Sequence, residues 1–365
     1  MVIYLDSIIY SLQKQGGISI YWTELIKRAS FDKEFDFKII VRKNYKKNYN
    51  YDSISNIPIK NILSIVPIYI LRFLPFFYKL SEKIIYHTSY LNFIFSKKAL
   101  NVITIHDLGY ERNISQKGFK KSINLFFKYF TLLNADAIIC ISNFTKNELI
   151  HFYPFCSNKI NVIYNGVSND FYKLPNVNEC LIDKSLKYLI FIGARYEYKQ
   201  FDLTIKVLEN LPNYHLVIVG GGSLKKEEKI QLNKSVKKRY VHFITMTNQN
   251  LNILYNNAHA LLYLSKYEGF GIPIIESMRS GCPFIALNNS SIPEIADNAG
   301  IILKAQNSNL LNDICDAVLH LENMTTRNNI IEKGLKRSKL FSWDICYEQT
   351  KLVYKNLEKN FIPNQ

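Results

Sequence analysis

Cysteine is scarce and widely spaced in this sequence. Six cysteines among 365 residues stand at positions 140, 156, 180, 282, 315 and 346, with no C-x-x-C pair and no cluster of cysteine with histidine. Disulfide scaffolds are typical of short secreted chains, and structural zinc sites need closely spaced ligands. The spacing argues against both kinds of site and fits a reducing compartment.

A secretory leader and a membrane-spanning run are also missing from the pattern. The chain begins M-V-I-Y-L-D-S-I-I-Y, a strand-like run without a basic leader, a long apolar core or a small-residue cleavage site. We therefore expect no signal peptide and a cytoplasmic location. The aromatic stretch 65–80 is short and is interrupted by Pro67, Arg72 and Pro75, so we do not expect it to span a bilayer.

Acidic residues are too few to balance the basic ones. The chain has 46 Lys and Arg against 30 Asp and Glu, a formal net charge of +16. Such an excess attracts nucleic acid, anionic lipid or phosphorylated ligands without distinguishing among them. Two basic and aromatic stretches, 65–80 and 117–130, could rest on an anionic membrane surface, or could be core-facing elements whose lysines reach solvent.

Short apolar runs that alternate with amphipathic stretches are the abundant feature of the chain. Continuous apolar strands separated by helices predict parallel sheets that are covered on both faces. The predicted strands are 1–5, 37–41, 101–105, 137–141, 159–163, 188–192, 215–219, 241–244, 260–264, 283–286 and 300–303. The predicted helices are 17–29, 120–134, 143–152, 202–210, 249–257, 273–280 and 307–321.

A polar segment separates two series of strands. We predict two doubly wound α/β domains, 1–166 and 187–340, joined by a linker at 167–186. The last segment, 341–365, is predicted as a helix that packs back toward the first domain.

Two loops that follow predicted strands suit an anionic ligand, because ligands of open parallel sheets bind at the carboxyl ends of the strands. The stretch Y-L-I-F-I-G-A-R-Y-E-Y-K places Arg195 and Lys199 on one loop, where two cations suit a diphosphate. The stretch H-L-V-I-V-G-G-G ends in three glycines around Gly221, whose backbone can approach an anion closely. It is not G-x-G-x-x-G, so no nicotinamide fingerprint is present.

The stretch Y-E-G-F-G-I-P-I-I-E carries two carboxylates on a third such loop. Glu268 follows a predicted strand, Gly269 and Gly271 allow a tight turn, and Pro273 suits the first turn of a helix. Glu276 then falls in the first turn of that helix. Carboxylates beside helix amides suit a ligand with both hydroxyl and phosphate groups, although a single Glu there could simply favour the helix dipole.

This stretch resembles the E-x(7)-E signature of the large family of retaining GT-B glycosyltransferases, family 4 in the usual classification. The likeness spans most of the chain. Further matches are Gly16-Gly17 after the first strand, V-I-T-I-H-D-L at 102–108, I-Y-N-G-V-S-N-D-F at 163–171, Arg195 with Lys199, and S-S-I-P-E-I at 290–295. Three departures are G-A-R in place of the usual G-R, a spacing between Arg195 and Lys199 that is shorter than in many members, and Ser291 in place of glycine.

The resemblance implies a GT-B fold, in which two Rossmann-like domains face each other across a cleft, the first binding the acceptor and the second the nucleotide sugar. It implies catalytic roles for Glu268, His106, Arg195 and Lys199, and contact between Glu276 and the ribose of the donor. The other donor-binding residues expected are Gly16, Gly17, Gly221, Thr245, Gly269, Phe270, Gly271 and Ile272.

The sequence contains no D-x-D pair, so we expect neither a metal nor another cofactor, with cations and amides neutralising the leaving diphosphate. The expected activity is retaining transfer of a hexose, such as mannose, from a GDP- or UDP-sugar to a saccharide or lipid-linked saccharide in polysaccharide or lipopolysaccharide O-antigen biosynthesis. We expect a peripheral protein on the anionic inner face of the plasma membrane, with no nucleic-acid partner. The alternatives are a nucleotide-sugar epimerase on the same fold and a basic nucleic-acid-binding protein, although no helix-turn-helix, RRM-like or zinc signature accompanies the charge.

Overall fold

The chain forms two units that pack separately. The structure is a computed structural model, and it describes residues 1–13, 16–42, 57–62, 68–75, 80–114, 118–175 and 179–361. Unit 1 comprises Met1–Asn165 together with Trp343–Gln365, and unit 2 comprises Gly166–Ser342.

Each unit is built on one wholly parallel sheet. Unit 1 has seven strands in the order β3-β2-β1-β4-β5-β6-β7, and unit 2 has six in the order β10-β9-β8-β11-β12-β13. The strands of unit 1 are β1 Val2–Asp6, β2 Asp36–Arg42, β3 Ile59–Ile62, β4 Ile84–Thr88, β5 Ala99–Ile105, β6 Ala137–Cys140 and β7 Ile160–Val162. Those of unit 2 are β8 Tyr188–Ile192, β9 His215–Val219, β10 Tyr240–Phe243, β11 Ala260–Tyr263, β12 Phe284–Leu287 and β13 Ile301–Leu303. The prediction of two doubly wound α/β domains is confirmed.

Helices connect the strands and cover both sheets. They are α1 Ile8–Leu12, α2 Gly17–Ala29, α3 Ile68–Leu71, α4 Phe119–Leu133, α5 Asn143–Phe152, α6 Phe201–Asn210, α7 Lys226–Ser235, α8 Asn248–Asn257, α9 Ile272–Arg279, α10 Ile292–Ala296, α11 Leu310–His320, α12 Met324–Ser338 and α13 Trp343–Phe361. Within the described ranges, none of these helices combines the length and apolarity that crossing a bilayer requires.

The sequence pattern did not predict the strands β3 and β4 or the long helices α7 and α12. The strands β3 and β4 contain polar residues, and in β4 His87 and Thr88 are fully buried because they pair with other buried polar groups. The helix α7 has few apolar residues, and α12 is likewise polar along most of its length. The hydrophobic periodicity of α7 and α12 is weak because each helix buries only a narrow face.

The segment predicted as a linker, 167–186, falls within unit 2. Its backbone is held by side chains of α8, since Tyr172 N donates to Asn252 Oδ1 at 3.1 Å and Leu174 N donates to Asn256 Oδ1 at 2.8 Å. Residues 176–178 lie outside the described residues. The segment is therefore packed against the helix layer of its unit.

The C-terminal helix α13 completes the core of unit 1. Tyr354 and Trp343 are buried with Trp22 in one apolar cluster, and the N-terminal amine of Met1 donates to Glu358 Oε1 at 2.8 Å. Tyr354 Oη also lies 2.6 Å from His87 Nδ1, within hydrogen-bond distance. Burial lowers the pKa of His87 to about 3, so the imidazole is neutral and relies on such partners.

Replacing Tyr354 by Phe should lower the free energy of unfolding by about 1–3 kcal/mol, because a buried nitrogen of His87 loses its partner. The matched control is Leu352→Ala on the same helix, where the side chain is 55% exposed and the expected loss is below about 0.5 kcal/mol. Urea unfolding of the full chain measures both variants. Equal stability of the two would show that the Tyr354–His87 contact does not hold α13.

Candidate functional site

The strand order of unit 2 reverses at β8, and this brings three loops together. The strand β8 lies between β9 and β11, so the carboxyl ends of all three face the same edge of the sheet. Two bonds join the loop after β8 to the loop after β11: Lys266 N donates to Tyr198 O at 2.7 Å, and Gln200 Nε2 donates to Leu264 O at 2.6 Å. The loops are therefore fixed relative to each other without a ligand.

An ion pair joins the functional side chains of these two loops. Lys199 Nζ donates to Glu268 Oε1, and the two side chains are only 14% and 13% exposed. The ammonium of Lys199 also lies 5.4 Å from the ring centroid of Tyr263, at the end of β11. The sequence placed Lys199 and Glu268 on separate loops, and the fold brings them into contact.

The second carboxylate of the motif, Glu276, is the fifth residue of α9, one residue further into the helix than the sequence predicted, because the helix begins at Ile272. Tyr255 Oη donates to its Oε2 at 3.0 Å. Burial raises the pKa of the Glu276 carboxyl to about 7. Burial raises the pKa of the Tyr263 hydroxyl, and the charge of Glu268 raises it further. The charge of Glu276 has a smaller effect in the same direction, so Tyr263 lies near both acids.

The helix that carries Glu276 begins at a glycine for a steric reason. Gly271 has φ +106°, in the left-handed region, and a Cβ there would lie 3.2 Å from Ile292 Cδ1. Ile272 is the first helical residue and Pro273 the second. Ahead of them, Phe270 is buried against Phe341, with 5.8 Å between the ring centroids.

Two serines that the sequence did not single out as functional support the Glu268 loop. Ser290 Oγ accepts from Glu268 N at 2.8 Å. Ser291 Oγ lies 2.9 Å from Glu268 O and 3.0 Å from Phe270 O, and donates to these carbonyls. The hydroxyl that replaces the usual glycine therefore braces the loop around Gly269. Only the S-S-I-P-E-I motif drew attention to this segment.

Arg195, on the loop after β8, binds the glycine loop after β9. Its Nη1 donates to Gly220 O at 2.9 Å and its Nη2 donates to Ser223 O at 2.9 Å, while Nε lies 3.1 Å from Glu228 Oε2 as an ion pair without hydrogen-bond geometry. The side chain is only 3% exposed. Arg195 therefore clamps the glycine loop after β9.

The contact between Arg195 and the glycine loop leaves no room for a side chain at position 221. Gly221 has φ +75°, and a Cβ there would lie 2.3 Å from Arg195 Nη1 and 2.8 Å from Gly193 O. Beyond it, Thr245 is exposed after β10 at the outer end of the same edge. His242 Nε2 lies 3.2 Å from Gly220 O, so the β10 segment is tied to the glycine loop.

A second polar site lies at the carboxyl edge of the unit 1 sheet. His106 follows β5, and its Nε2 is buried with no partner among the described residues. Burial lowers the pKa of His106 to about 4, so the ring is neutral near pH 7. Its ring lies 5.1 Å from that of Tyr21, edge to face.

His106 lines an open pocket of about 540 Å³ in unit 1. Tyr90, Tyr110, Asp107 and Lys128 also line it. Aromatic rings with a few polar groups are typical of small-ligand pockets. The pocket thus brings His106 together with residues that carry hydroxyl, carboxylate and ammonium groups.

The predicted glycine turn adjoins the same pocket. Gly16 precedes α2 and Gly17 is its first residue, while the next residue, Ile18, lines the pocket with His106. Ser19 caps the turn, since its Oγ accepts from Gly16 N at 3.1 Å and donates to Gly16 O at 2.9 Å. Gly16 is extended, so its backbone conformation does not itself require glycine.

A buried ion pair forms part of this pocket and was missed from the sequence. Lys128 Nζ lies 2.9 Å from Glu111 Oε1, with the two side chains 6% and 3% exposed. Tyr153 Oη donates to the same carboxylate at 2.9 Å. The lysine is one of several in a basic stretch, so nothing in the sequence distinguishes it from an exposed one.

Groups of three or more His, Cys, Asp or Glu residues that could hold a metal ion do not occur among the residues that the structure describes.

Two family models match adjoining parts of the chain. The model described as "Glycosyltransferase Family 4" matches residues 15–171, and the one described as "Glycosyl transferases group 1" matches residues 176–337. The first match falls largely in unit 1 and the second in unit 2. Both contain residues of the sites described above.

Relatives with similar sequences are named as glycosyltransferases. The chain is 27% identical to an uncharacterized glycosyltransferase of Methanocaldococcus jannaschii, over 94% of this chain and 95% of the relative. It is 26% identical to the O-antigen chain mannosyltransferase B of Escherichia coli, over 62% of each chain.

Solved structures share the fold over nearly the whole chain. Sucrose-phosphate synthase of Thermosynechococcus elongatus has a TM-score of 0.73 at 18% identity, covering 98% of this chain and 99% of that one. The Anabaena protein HepE, in complex with UDP and glucose, has a TM-score of 0.73 at 14% identity, covering 97% of this chain and 99% of that one. The fold is therefore of the GT-B type.

Replacing Gly221 by Ala should destabilise the chain by about 2–4 kcal/mol, since the methyl adds overlap with the backbone oxygen of Gly193 and with Arg195 to the cost of the left-handed backbone. Gly222→Ala is the matched control: its φ is +71°, but nothing lies within 4 Å of the added carbon, so we expect about 1 kcal/mol. Urea unfolding compares them. Equal losses would contradict the close packing of Gly221 against Gly193 and Arg195.

Replacing Glu276 by Gln should stabilise the chain above pH 7 and change little near pH 4.5. The folded-state pKa of about 7 exceeds the unfolded value, so the native state binds the extra proton and wild-type stability falls as pH rises from about 4.5 to 7. The full difference is about 3 kcal/mol. Urea unfolding from pH 4.5 to 8 measures it, and parallel curves for the two proteins would contradict the raised pKa.

Proposed function

Because this chain is a glycosyltransferase of the GT-B type, we propose that it transfers a hexose from a GDP- or UDP-linked donor to a saccharide or lipid-linked saccharide, with retention of anomeric configuration. We place the reaction in the biosynthesis of a cell-surface polysaccharide such as an O-antigen. The name of the relative from Escherichia coli, O-antigen chain mannosyltransferase B, supports mannose as the transferred sugar.

The observation that carries the proposal is the group formed by Lys199, Glu268 and Glu276 at the strand reversal of unit 2. A nucleotide sugar has vicinal hydroxyls at its ribose and its hexose, joined by a diphosphate. In the proposal Glu276 accepts from ribose hydroxyls and Glu268 from hexose hydroxyls, while Lys199 neutralises charge on the departing phosphate.

The ion pair also has a function before a donor binds. Lys199 and Glu268 are both largely buried, and an unpaired buried charge is costly. The pair holds both side chains in place until a diphosphate and sugar hydroxyls provide alternative partners. Arg195 contributes indirectly, since it positions the glycine loop whose backbone lies beside the same edge.

The proposed step exchanges one bond to the anomeric carbon for another. The bond between that carbon and the phosphate oxygen breaks, and a bond from the acceptor oxygen forms on the same face of the sugar. The acceptor proton passes to the leaving phosphate, so no protein base is consumed and no covalent intermediate on the chain is required. We propose that this step needs no metal.

We propose that the acceptor binds in the His106 pocket of unit 1. Tyr90 and Tyr110 provide rings and hydroxyls, and Asp107 provides a carboxylate, a set that suits a sugar. The neutral His106 can exchange hydrogen bonds with the reacting hydroxyl through its unpaired Nε2. The basic composition of the chain is consistent with an acceptor held at an anionic surface.

Replacing Glu268 by Ala should lower kcat/KM for transfer by at least about 10²–10³-fold and leave nucleotide binding measurable, because the hexose contact is lost and the base and ribose contacts remain. Purified full-length protein is first screened against GDP-mannose and UDP-sugars for thermal stabilisation, which identifies the donor. Transfer to a lipid-linked acceptor is then measured with that donor.

The matched control is Glu209→Ala on the exposed surface of α6, which should retain full activity. Full activity of Glu268→Ala would contradict the proposed donor site. A nuclear magnetic resonance time course of the donor without acceptor separates the remaining interpretation: isomerisation of the sugar there would identify an epimerase, and an unchanged donor supports a transferase.

A further inference from the structure

A series of hydrogen bonds runs through the interior of unit 1. Tyr354 Oη of α13 lies 2.6 Å from His87 Nδ1, and the other ring nitrogen, Nε2, lies 2.9 Å from Thr104 Oγ1. Thr104 Oγ1 in turn lies 3.1 Å from Tyr21 Oη of α2. We call these four side chains the Tyr21 network. It joins the C-terminal helix to α2 across the adjacent strands β4 and β5.

Every member of the Tyr21 network is shielded from solvent. Tyr21, His87 and Tyr354 are 0% exposed, and Thr104 is 8% exposed. A buried polar group without a partner is costly, so each member depends on its neighbours in the network. Hydrogen bonds in series also polarise one another. The loss of one bond therefore weakens the next one.

The protonation state of His87 couples the two ends of the network. Burial lowers the pKa of His87 to about 3, so the ring carries one N–H, which donates at one nitrogen while the other nitrogen accepts. The bonds on either side of the ring therefore run in the same direction. A change at Tyr354 reaches Thr104 through the imidazole, because each ring nitrogen has one of them as its partner.

The Tyr21 end of the network packs on His106. The ring centroids of Tyr21 and His106 lie 5.1 Å apart, and their planes are inclined at 80°. Such edge-to-face pairs are favourable beyond the apolar area that they bury. His106 Nε2 has no hydrogen-bond partner among the described residues, so that nitrogen does not fix the ring. The contact with Tyr21 therefore helps to set the position of the imidazole.

Tyr21 can influence the His106 pocket only through other residues. His106 and Thr104 line the pocket, whereas Tyr21 is fully buried behind them. The ring of Trp343, the first residue of α13, lies 6.1 Å from that of Tyr21. The C-terminal helix therefore contacts Tyr21 directly as well as through the network.

We propose that the Tyr21 network positions His106 for transfer, so that the C-terminal helix contributes to the acceptor site. The network fixes the hydroxyl of Tyr21 and with it the tilt of the ring against which the imidazole packs. Tyr21 and Tyr354 are then positioning residues, since each acts through a residue of the pocket wall. The inference rests on the proposed function, in which His106 exchanges hydrogen bonds with the reacting hydroxyl of the acceptor.

Replacing Tyr21 by Phe keeps the ring and removes its hydroxyl. In the full-length protein, kcat for transfer should fall about tenfold, because a small displacement of a group at the reacting centre is costly. KM for the nucleotide sugar should stay within about twofold, since the proposed donor contacts of Lys199, Glu268 and Glu276 are unchanged. Replacing Tyr354 by Phe, at the other end of the network, should lower kcat in the same direction and by a smaller factor.

Tyr347→Phe is the matched control on the same helix. Tyr347 is 5% exposed and its Oη donates to Asp32 Oδ2 at 2.9 Å, so this substitution also removes a hydrogen bond from a buried tyrosine of α13. Because that bond is not part of the Tyr21 network, the variant should lose stability and retain full kcat. A loss of kcat equal to that of Tyr354→Phe would assign the effect to a general weakening of α13 and would overturn the proposal.

A double-mutant cycle with His106→Ala tests whether Tyr21 acts through His106. His106→Ala alone should lower kcat by at least about 10²-fold. In that background Tyr21→Phe should cause no further loss of kcat, although it should still lower the melting temperature. A further tenfold loss there would show that Tyr21 acts independently of His106, and full kcat of the single variant Tyr21→Phe would show that the network does not affect transfer. Either result would overturn the proposal.

Nuclear magnetic resonance of isotopically labelled histidine reports the position of His106 without any activity measurement. The signal that is absent from His106→Ala identifies this ring among the seven histidines. It should shift in Tyr21→Phe and Tyr354→Phe but not in Tyr347→Phe, and an unshifted signal in Tyr21→Phe would overturn the proposal.

Failure of this inference and failure of the proposed function give different results. Full activity of His106→Ala would overturn the proposed acceptor site together with the role of the network in transfer. A large loss in His106→Ala with full activity of Tyr21→Phe would overturn the positioning role alone. Thermal stabilisation by the nucleotide sugar, measured on the same samples, reports the donor site separately.

Discussion

A wholly parallel sheet ends all its strands on one edge, and the arrangement of both units follows from that constraint. In unit 2 the edge gathers the loops that carry Lys199, Gly221 and Glu268. In unit 1 it gathers the glycine turn before α2 and His106 after β5. Residues far apart in the sequence become neighbours there because every parallel strand ends at the same edge of the sheet.

Polar groups at these edges are already satisfied by one another. Lys199 is paired with Glu268, Arg195 is bound to loop carbonyls, and Ser291 binds two carbonyls of the loop that precedes α9. Groups oriented before a ligand arrives need little rearrangement when it binds, which is the condition for electrostatic stabilisation of a leaving group. Two groups at these edges are not fully satisfied. His106 has a buried Nε2 without a partner among the described residues, and burial raises the pKa of the Glu276 carboxyl, so each would gain from a hydrogen bond to a ligand.

The helix α4 serves both a pocket and an exposed surface. Its inner face buries Lys128 against Glu111, at a desolvation cost that a purely structural helix would avoid with an apolar residue. Its outer face leaves a run of aromatic side chains in solvent.

The alternation of apolar strands and helices, and with it the doubly wound class, could be predicted from the sequence, because burial on both faces requires continuous apolar runs. The loop that carries Glu268 could also be located, since glycine and proline restrict the backbone locally. The partners of the charged groups follow from the fold and could not be predicted. Lys199 meets Glu268 across 69 positions of sequence, Arg195 binds the glycine loop after β9, and Lys128 is buried while Lys120 is exposed. These choices depend on strand order and on which helix face meets the sheet, and no local pattern of residues encodes either.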